Sequence, residues 1–207
     1  MPVTGEAKRL DGLLQHPALW RGRSVAPLAT LPSGFASLDA ALPGGGWPRT
    51  GLTEILTARQ GLGELQLWLP AIAALTAAAE PRWTSFVSPP FQLFAPALAA
   101  AGVALERLLV LHPPEPLWSV EQALRSGSCD LVCAWVAQAT AGELRRLVLA
   151  SEQGRAAGVL FRPARTAMES SPVALRLLVE PIPGGLNLRF LKRRGLGCEQ
   201  LDLRFTP

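Results

Sequence analysis

The segment SGFASLDAALPGGGWPRTGLTEILTARQGLGELQL, residues 33–67, decides the fold of this 207-residue chain. It holds a glycine-rich turn at 44–46, followed by the apolar strand LTEIL at 52–56. A second glycine-containing loop then leads into a helix that we predict over residues 64–79, because its apolar side chains recur at helical spacing. A buried strand that leads through a loop into a helix is the first half of a parallel β–α–β unit, so the segment predicts an α/β protein.

The same alternation of strands and helices continues along the chain. Further strands are predicted at 83–87, 108–111, 131–136 and 158–161, with helices near 96–101, 120–125 and 142–153. Because these strands are apolar throughout, they are typical of a mostly parallel sheet with helices on both faces. Alternating apolar and polar residues then predict a C-terminal hairpin and one more strand, which add an antiparallel extension at one edge. These strands are predicted at 175–180, 186–192 and 201–205.

Composition narrows the class of protein. Hydrophobic residues make up 49% of the chain and charged residues 17%, which supplies a large core and argues against disorder. No apolar run reaches the roughly 18 residues that a membrane span needs. The first residues also lack the apolar stretch of a secretion signal. We therefore expect a cytoplasmic protein without a membrane partner. Three cysteines and two histidines without a close cluster predict neither a disulfide framework nor a metal site.

We divide the chain into residues 1–34, an N-terminal helix with a linker, and residues 35–207, a core domain with the C-terminal hairpin. The N-terminal helix carries Leu10, Leu13 and Leu14 on one side. A helix of this length is marginal on its own. It therefore packs either on the body of the protein or on a partner, and the sequence leaves both alternatives open.

Basic residues are concentrated late in the chain. The net charge is +4, and residues 145–194 carry ten basic side chains against three acidic ones. Two interpretations stay open: an ordinary solvated surface, or a contact with nucleic acid or an acidic partner. The candidate contact residues are Arg162, Arg165, Lys192, Arg193 and Arg194.

The segment SGFASLDAALPGGGWPRTGLTEI, residues 33–55, resembles the beginning of a RecA-type recombinase core. In that family the strand leads into the phosphate-binding loop G-x-x-x-x-G-K-[ST]. The backbone N–H groups of such a loop hold phosphates, its Lys reaches the terminal phosphates, and its hydroxyl binds Mg²⁺. The resemblance implies a RecA-like core.

The phosphate-binding loop is degenerate in this chain. In register with the family, Thr57 stands at the first Gly, Leu62 at the second, Gly63 at the Lys and Glu64 at the Ser/Thr. A carboxylate at a helix N-terminus favours the helix but repels an anionic ligand. The degenerate loop Thr57, Gly61, Gly63, Glu64 therefore predicts no nucleotide, no metal and no other cofactor.

The other strand ends depart from the recombinase pattern in the same way. Pro89 and Pro90 stand at the position of the catalytic Glu, and Trp135 or Val136 stands at that of the acidic residue that organises Mg²⁺. Arg162 or Pro163 takes the place of the polar nucleotide sensor. The loops that bind DNA in recombinases are short as well. We therefore predict that the chain is not an enzyme and has no catalytic residues.

Two bacterial SOS-response families resemble this sequence, and both look like RecA cores without nucleotide chemistry. One is the ImuA family and the other is SulA. The stretches GELQLWLPAIAAL, RWTSFVSPP and SVEQALRSG fit either family. The stretches LLQHPALWRG, LPGGGWP and LRLLVEPIPGGLNLRFLKRRG are similar to ImuA proteins. SulA proteins usually lack the SG-x-x-x-LD and LPGGGWP elements, and they usually stop near the fifth strand. The resemblance therefore favours ImuA.

Resemblance to ImuA implies a non-catalytic adaptor in SOS-induced, error-prone translesion DNA synthesis. Its implied partners are an ImuB-like homologue of Y-family polymerases, RecA and an error-prone replicative-type polymerase, with weak DNA contact as an addition. Leu10, Leu13 and Leu14 are the candidate partner contact. One alternative is a SulA-like inhibitor of cell division that binds FtsZ. Another is a RecA-like ATPase or DNA-binding regulator.

Overall fold

The structure, a computed structural model, describes residues 29–195 and 197–205. The predicted N-terminal helix, with Leu10, Leu13 and Leu14, lies outside the described residues. The strands are β1 (Thr30–Leu31), β2 (Trp47–Pro48), β3 (Gly51–Thr57), β4 (Trp83–Val87), β5 (Leu108–Leu111), β6 (Cys129–Trp135), β7 (Ala157–Pro163), β8 (Leu175–Ile182), β9 (Gly185–Lys192) and β10 (Gln200–Arg204). The α-helices are α1 (Ala36–Ala41), α2 (Leu69–Thr76), α3 (Ala95–Ala100), α4 (Pro116–Arg125) and α5 (Ala141–Gly154), and short 3₁₀ helices lie at Glu64–Leu67, Leu105–Arg107 and Ala164–Met168.

Eight of the described strands form one sheet in the order β10-β9-β8-β3-β7-β6-β4-β5. The six strands from β8 to β5 are parallel to one another. Strands β9 and β10 extend the sheet with antiparallel pairing. The prediction of a mostly parallel α/β sheet with an antiparallel extension is confirmed. The first strand of the predicted hairpin, β8, belongs to the parallel part because it pairs with β3.

The central strands bury both of their faces. In β6, Leu131, Cys133 and Trp135 pack into the core with α1, α2 and α3. The alternate side chains Val132 and Ala134 pack with α4 and α5. Since successive strand residues point to opposite faces, this division confirms the predicted helices on both faces of the sheet.

The helix predicted over residues 64–79 is divided in two. Residues Glu64–Leu67 form a 3₁₀ turn, and α2 begins only at Leu69. Pro70 lies in the first turn of α2, where its missing N–H group leaves no helical hydrogen bond unmade. The proline therefore starts a new helix and does not continue the one before it.

The described end of the predicted linker is attached to the body. Leu31 in β1 pairs with Trp47 in β2, and the Trp47 ring is fully buried. That ring stacks on Trp68 with ring centroids 4.5 Å apart.

No helix among the residues that the structure describes is long and apolar enough to cross a membrane.

The contact between α4 and α5 gives a test of the packing. A Cβ atom added to Gly154 would lie 1.9 Å from the carbonyl oxygen of Leu124. We expect Gly154→Ala to lower the free energy of unfolding by about 1–3 kcal/mol or more, because the backbone must move apart. Gly142→Ala is the control, since its nearest atom lies at 3.9 Å. That control should be neutral or stabilise slightly. Equal stability of the two variants in urea unfolding would contradict this packing.

Candidate functional site

The carboxyl ends of the parallel strands meet at one edge of the sheet. Thr57, Val87, Trp135 and Pro163 end β3, β4, β6 and β7, respectively. In open α/β sheets, this edge is where ligands bind. The predicted degenerate loop and the strand ends that depart from the recombinase pattern therefore lie at this edge.

Within the degenerate loop, Glu64 turns back onto the backbone that precedes it. Its carboxylate accepts hydrogen bonds from the N–H groups of Gly61, at 3.0 Å, and Leu62, at 2.7 Å. Glu64 is only 4% exposed, and Gly61 and Gly63 have positive φ angles of 79° and 93°. In a working loop such N–H groups bind phosphate. Here the chain's own carboxylate occupies that anion position.

The predicted repulsion between Glu64 and an anionic ligand is therefore only one of the reasons why the loop excludes phosphate. A phosphate must also displace a buried carboxylate from two backbone donors, and Gly63 stands in register where a Lys would compensate. Of the predicted degenerate loop, Gly61, Gly63 and Glu64 line one groove, whereas Thr57 is buried at the end of β3 and lines a separate pocket.

An aromatic stack fills the neighbouring strand ends. Trp135 stacks on Phe161 with ring centroids 4.6 Å apart and on Phe86 with centroids 6.3 Å apart. Among the residues that the structure describes, no group of three or more His, Cys, Asp or Glu side chains could hold a metal ion. This part of the edge is therefore suited to apolar contacts.

An apolar groove of about 270 Å³ lies between the degenerate loop and the segment after β4. Two phenylalanines at its rim, Phe91 and Phe94, are 61% and 69% exposed. The groove is also lined by Leu65, Leu69, Pro90, Leu93, Leu98 and Trp135. The sequence patterns above did not predict a binding role for these two phenylalanines. The available signal was the pair of aromatic side chains in FQLF directly after the Pro-Pro strand end.

A buried ion cluster lies beneath this edge, and it corrects one prediction. Glu54 in β3 is fully buried and accepts hydrogen bonds from Arg162, at 2.6 Å, and from Arg176. Arg162 also donates to Glu169 and is only 2% exposed. The prediction that Arg162 contacts nucleic acid or an acidic partner through an exposed guanidinium is wrong, because two carboxylates of the chain already hold the side chain.

The other basic candidates divide into two kinds. Lys192 donates to the carbonyl oxygen of Ser171, and Arg193 donates to that of Ala41 while lying over the Phe190 ring. These two side chains hold the chain's own backbone. Arg165 and Arg194 are exposed.

The two cysteines of β6 are core thiols. Burial raises the pKa of Cys133 far above its ordinary value, and burial is also the main cause of the raised pKa of Cys129. Because the thiolate is the reactive form, neither side chain is an activated nucleophile near neutral pH.

The buried ion cluster gives a sharp test of stability. We expect Glu54→Gln to lower the free energy of unfolding by about 3–5 kcal/mol, because it leaves two buried guanidiniums without their shared carboxylate. The control is Glu180→Gln on neighbouring β8, where the carboxylate is exposed. The control should change the free energy by less than about 0.5 kcal/mol. Similar urea midpoints for the two variants would refute the role given to Glu54.

The filled anion position predicts that nucleotide does not stabilise the protein. ATP with Mg²⁺ at millimolar concentration should leave the melting temperature unchanged, because ligand stabilisation requires binding to the native state. A melting temperature that rises with ATP concentration would contradict the account of Glu64. A RecA recombinase in the same assay serves as the positive control.

Comparison with known proteins finds a matching family model and several relatives. The family model described as "Cell division inhibitor SulA" matches residues 52–158, more than half of the chain. A cell division inhibitor SulA from Edwardsiella piscicida is 38% identical over 69 residues, which cover 32% of this chain and 41% of that protein. Protein RecA 1 from Myxococcus xanthus is 32% identical over 132 residues, which cover 62% of this chain and 37% of that protein.

A solved structure of SulA from Pseudomonas aeruginosa is 26% identical, with a TM-score of 0.45, and covers 54% of this chain and 97% of that one. The chain spans about half the length of the curated SulA relatives that it matches. Because the matching family is one of inhibitors, the prediction that the chain is not an enzyme is confirmed. By the extent of the family match, the chain belongs to the SulA family.

Proposed function

We propose that this chain is a non-catalytic, SOS-linked inhibitor of cell division that acts by binding FtsZ. The observation that carries the proposal is the apolar groove with the exposed Phe91 and Phe94 at the edge where a nucleotide would otherwise bind. The matching family description, cell division inhibitor, supports the process, and FtsZ is the partner that the resemblance to SulA implies. This function is the alternative of the sequence analysis, and the family match supports it better than the preferred adaptor.

The physical argument for a protein partner begins with exposure. Large aromatic side chains that stay more than half exposed beside an apolar groove are costly in water and typical of binding sites. The groove is too apolar to select a nucleotide, and the nearest backbone donors are occupied by Glu64. A partner that inserts an apolar side chain into the groove would cover both phenylalanines.

The test replaces the two phenylalanines. We expect Phe91→Ser with Phe94→Ser to weaken FtsZ binding by at least about tenfold, because aromatic anchors at an interface centre often contribute about 2 kcal/mol or more each. Binding is measured by biolayer interferometry with purified FtsZ. Filament formation by cells that overexpress each variant gives a second readout.

The matched control is Leu149→Ser with Met168→Ser. These side chains are 63% and 95% exposed and do not line the groove. The control should bind FtsZ like the unchanged protein. Equal weakening by both pairs would contradict the groove as the binding site for FtsZ. Absence of FtsZ binding by the unchanged protein would contradict the proposed function.

A second candidate function is the non-catalytic adaptor in translesion DNA synthesis, with an ImuB-like polymerase homologue and RecA as partners. The observation that favours it is the folded structure on both sides of the family match, in residues 29–51, 159–195 and 197–205. The part after the match includes β8, which pairs with β3, and the antiparallel β9 and β10. The match to RecA 1 of Myxococcus xanthus supports a RecA-like core for this candidate.

The adaptor is tested by size-exclusion chromatography with ImuB and RecA. We expect a complex with ImuB if this second candidate is correct, and we expect deletion of residues 1–17 to weaken a RecA complex. No complex with either protein, alongside clear FtsZ binding, would reject the adaptor. Complexes with ImuB or RecA and none with FtsZ would select it.

A further inference from the structure

A second pocket, of about 310 Å³, lies at the same edge of the sheet, between the loop after β3 and the loop after β7. Its lining includes Thr57, Arg59, Gln60, Phe161, Arg162 and Arg165. None of these residues lines the apolar groove, so the two pockets are separate features of the edge. The three arginines define what we name the arginine pocket.

The arginine pocket has a local excess of positive charge. Arg59 and Arg165 are exposed, and no carboxylate of the described residues lies within 4.0 Å of either guanidinium. Arg162 in the wall is already paired with Glu54 and Glu169. The two exposed guanidiniums therefore face the pocket without a compensating acid.

One buried donor in the wall is left without a partner. The Nε atom of Arg162 has no hydrogen-bond partner among the described residues, although the side chain is 2% exposed. Its two terminal nitrogens are used by Glu54 and Glu169. Because this nitrogen is buried beneath the pocket surface, the donors that a ligand can reach are those of Arg59 and Arg165.

We propose that the arginine pocket binds a carboxylate from an acidic segment of the partner protein. Guanidinium groups present planar, paired donors that match a carboxylate in two-point contact. The pocket supplies two such groups, from Arg59 and Arg165. This inference deepens the proposed function. It rests on that function in one respect, which is that the same partner supplies the acidic segment.

An acidic protein segment fits the pocket better than a nucleic acid does. Nucleic-acid affinity depends on several phosphates neutralised along a track of cations, with aromatic faces for unpaired bases. Here the free cations of the pocket are two, and its one aromatic side chain, Phe161, is buried and stacked on Trp135. The geometry therefore suits a single anionic group.

The test compares two double variants with equal loss of charge. Arg59→Gln with Arg165→Gln removes the exposed cations of the pocket. Arg145→Gln with Arg189→Gln is the control, because both side chains are exposed and neither lines a pocket at this edge. The probe is a fluorescein-labelled hexaglutamate peptide in anisotropy titrations at fixed low salt, with hexaglutamine and single-stranded oligothymidylate as comparison ligands.

We expect the pocket variant to bind hexaglutamate at least about tenfold more weakly, and the control about as well as the unchanged protein. The NMR signals of the Arg59 and Arg165 Nε–H groups should shift when the peptide is added to the unchanged protein. Equal weakening by both variants would overturn the proposal, since it would reflect net charge alone. Pocket-dependent binding of oligothymidylate that exceeds peptide binding would also overturn it, in favour of nucleic acid.

Measurements with FtsZ separate this inference from the proposed function. If hexaglutamate binds through the pocket but FtsZ does not bind at all, the proposed function fails and the pocket stands. If FtsZ binding needs Phe91 and Phe94 but is unchanged in the pocket variant, the pocket inference fails and the proposed function stands.

Discussion

The arrangement of the sheet depends on one buried carboxylate. Glu54, in the middle of β3, holds Arg162 of β7 on one side and Arg176 of β8 on the other. Arg176 also donates to the carbonyl oxygens of Thr166, Ala167 and Glu169, in and just after the 3₁₀ segment that links β7 to β8. Buried charges are tolerated only when they are paired and hydrogen-bonded. The cluster therefore fixes three neighbouring strands and the loop that leaves their edge.

Above this cluster lies the carboxyl edge, where ligands bind in open α/β sheets, and the chain's own side chains occupy much of it. Glu64 fills the anion position of the loop, and the stack of Trp135 on Phe161 fills the strand ends. The edge offers to solvent an apolar groove with two exposed phenylalanines and, separately, a pocket with two arginines that form no salt bridge with the described residues. Aromatic anchors beside a charged contact form a common pattern in protein interfaces.

The sequence predicts much of this fold because the spacing of apolar residues and the Gly and Pro residues that end helices and strands are local features. The five strands from β3 to β7 and their helices are read from apolar runs and from Gly and Pro. The burial of Arg162 is not local: it depends on the pairing of β3 with β7 and β8, which brings Glu54 within reach. A count of basic residues therefore placed this side chain on the surface.

The candidate site shows the same difference between local features, which the sequence predicts, and non-local ones, which it does not. The loss of the phosphate-binding Lys is visible in the sequence, whereas the return of Glu64 onto two N–H groups requires the positive φ angles at Gly61 and Gly63. Exposure of Phe91 and Phe94 likewise depends on what the neighbouring helix α3 leaves uncovered. The choice between SulA and ImuA depended on segments at the two ends of the chain, of which the family match covers neither.

Hydrogen–deuterium exchange of the chain with and without FtsZ tests the central claim most directly. The claim is that the carboxyl edge of the sheet is the protein-binding surface. It predicts that added FtsZ slows exchange in residues 88–98 and 58–65, with α4 and α5 unchanged, and that ATP with Mg²⁺ slows exchange nowhere. Protection confined to α4 and α5, or protection of residues 58–65 by ATP, would contradict it.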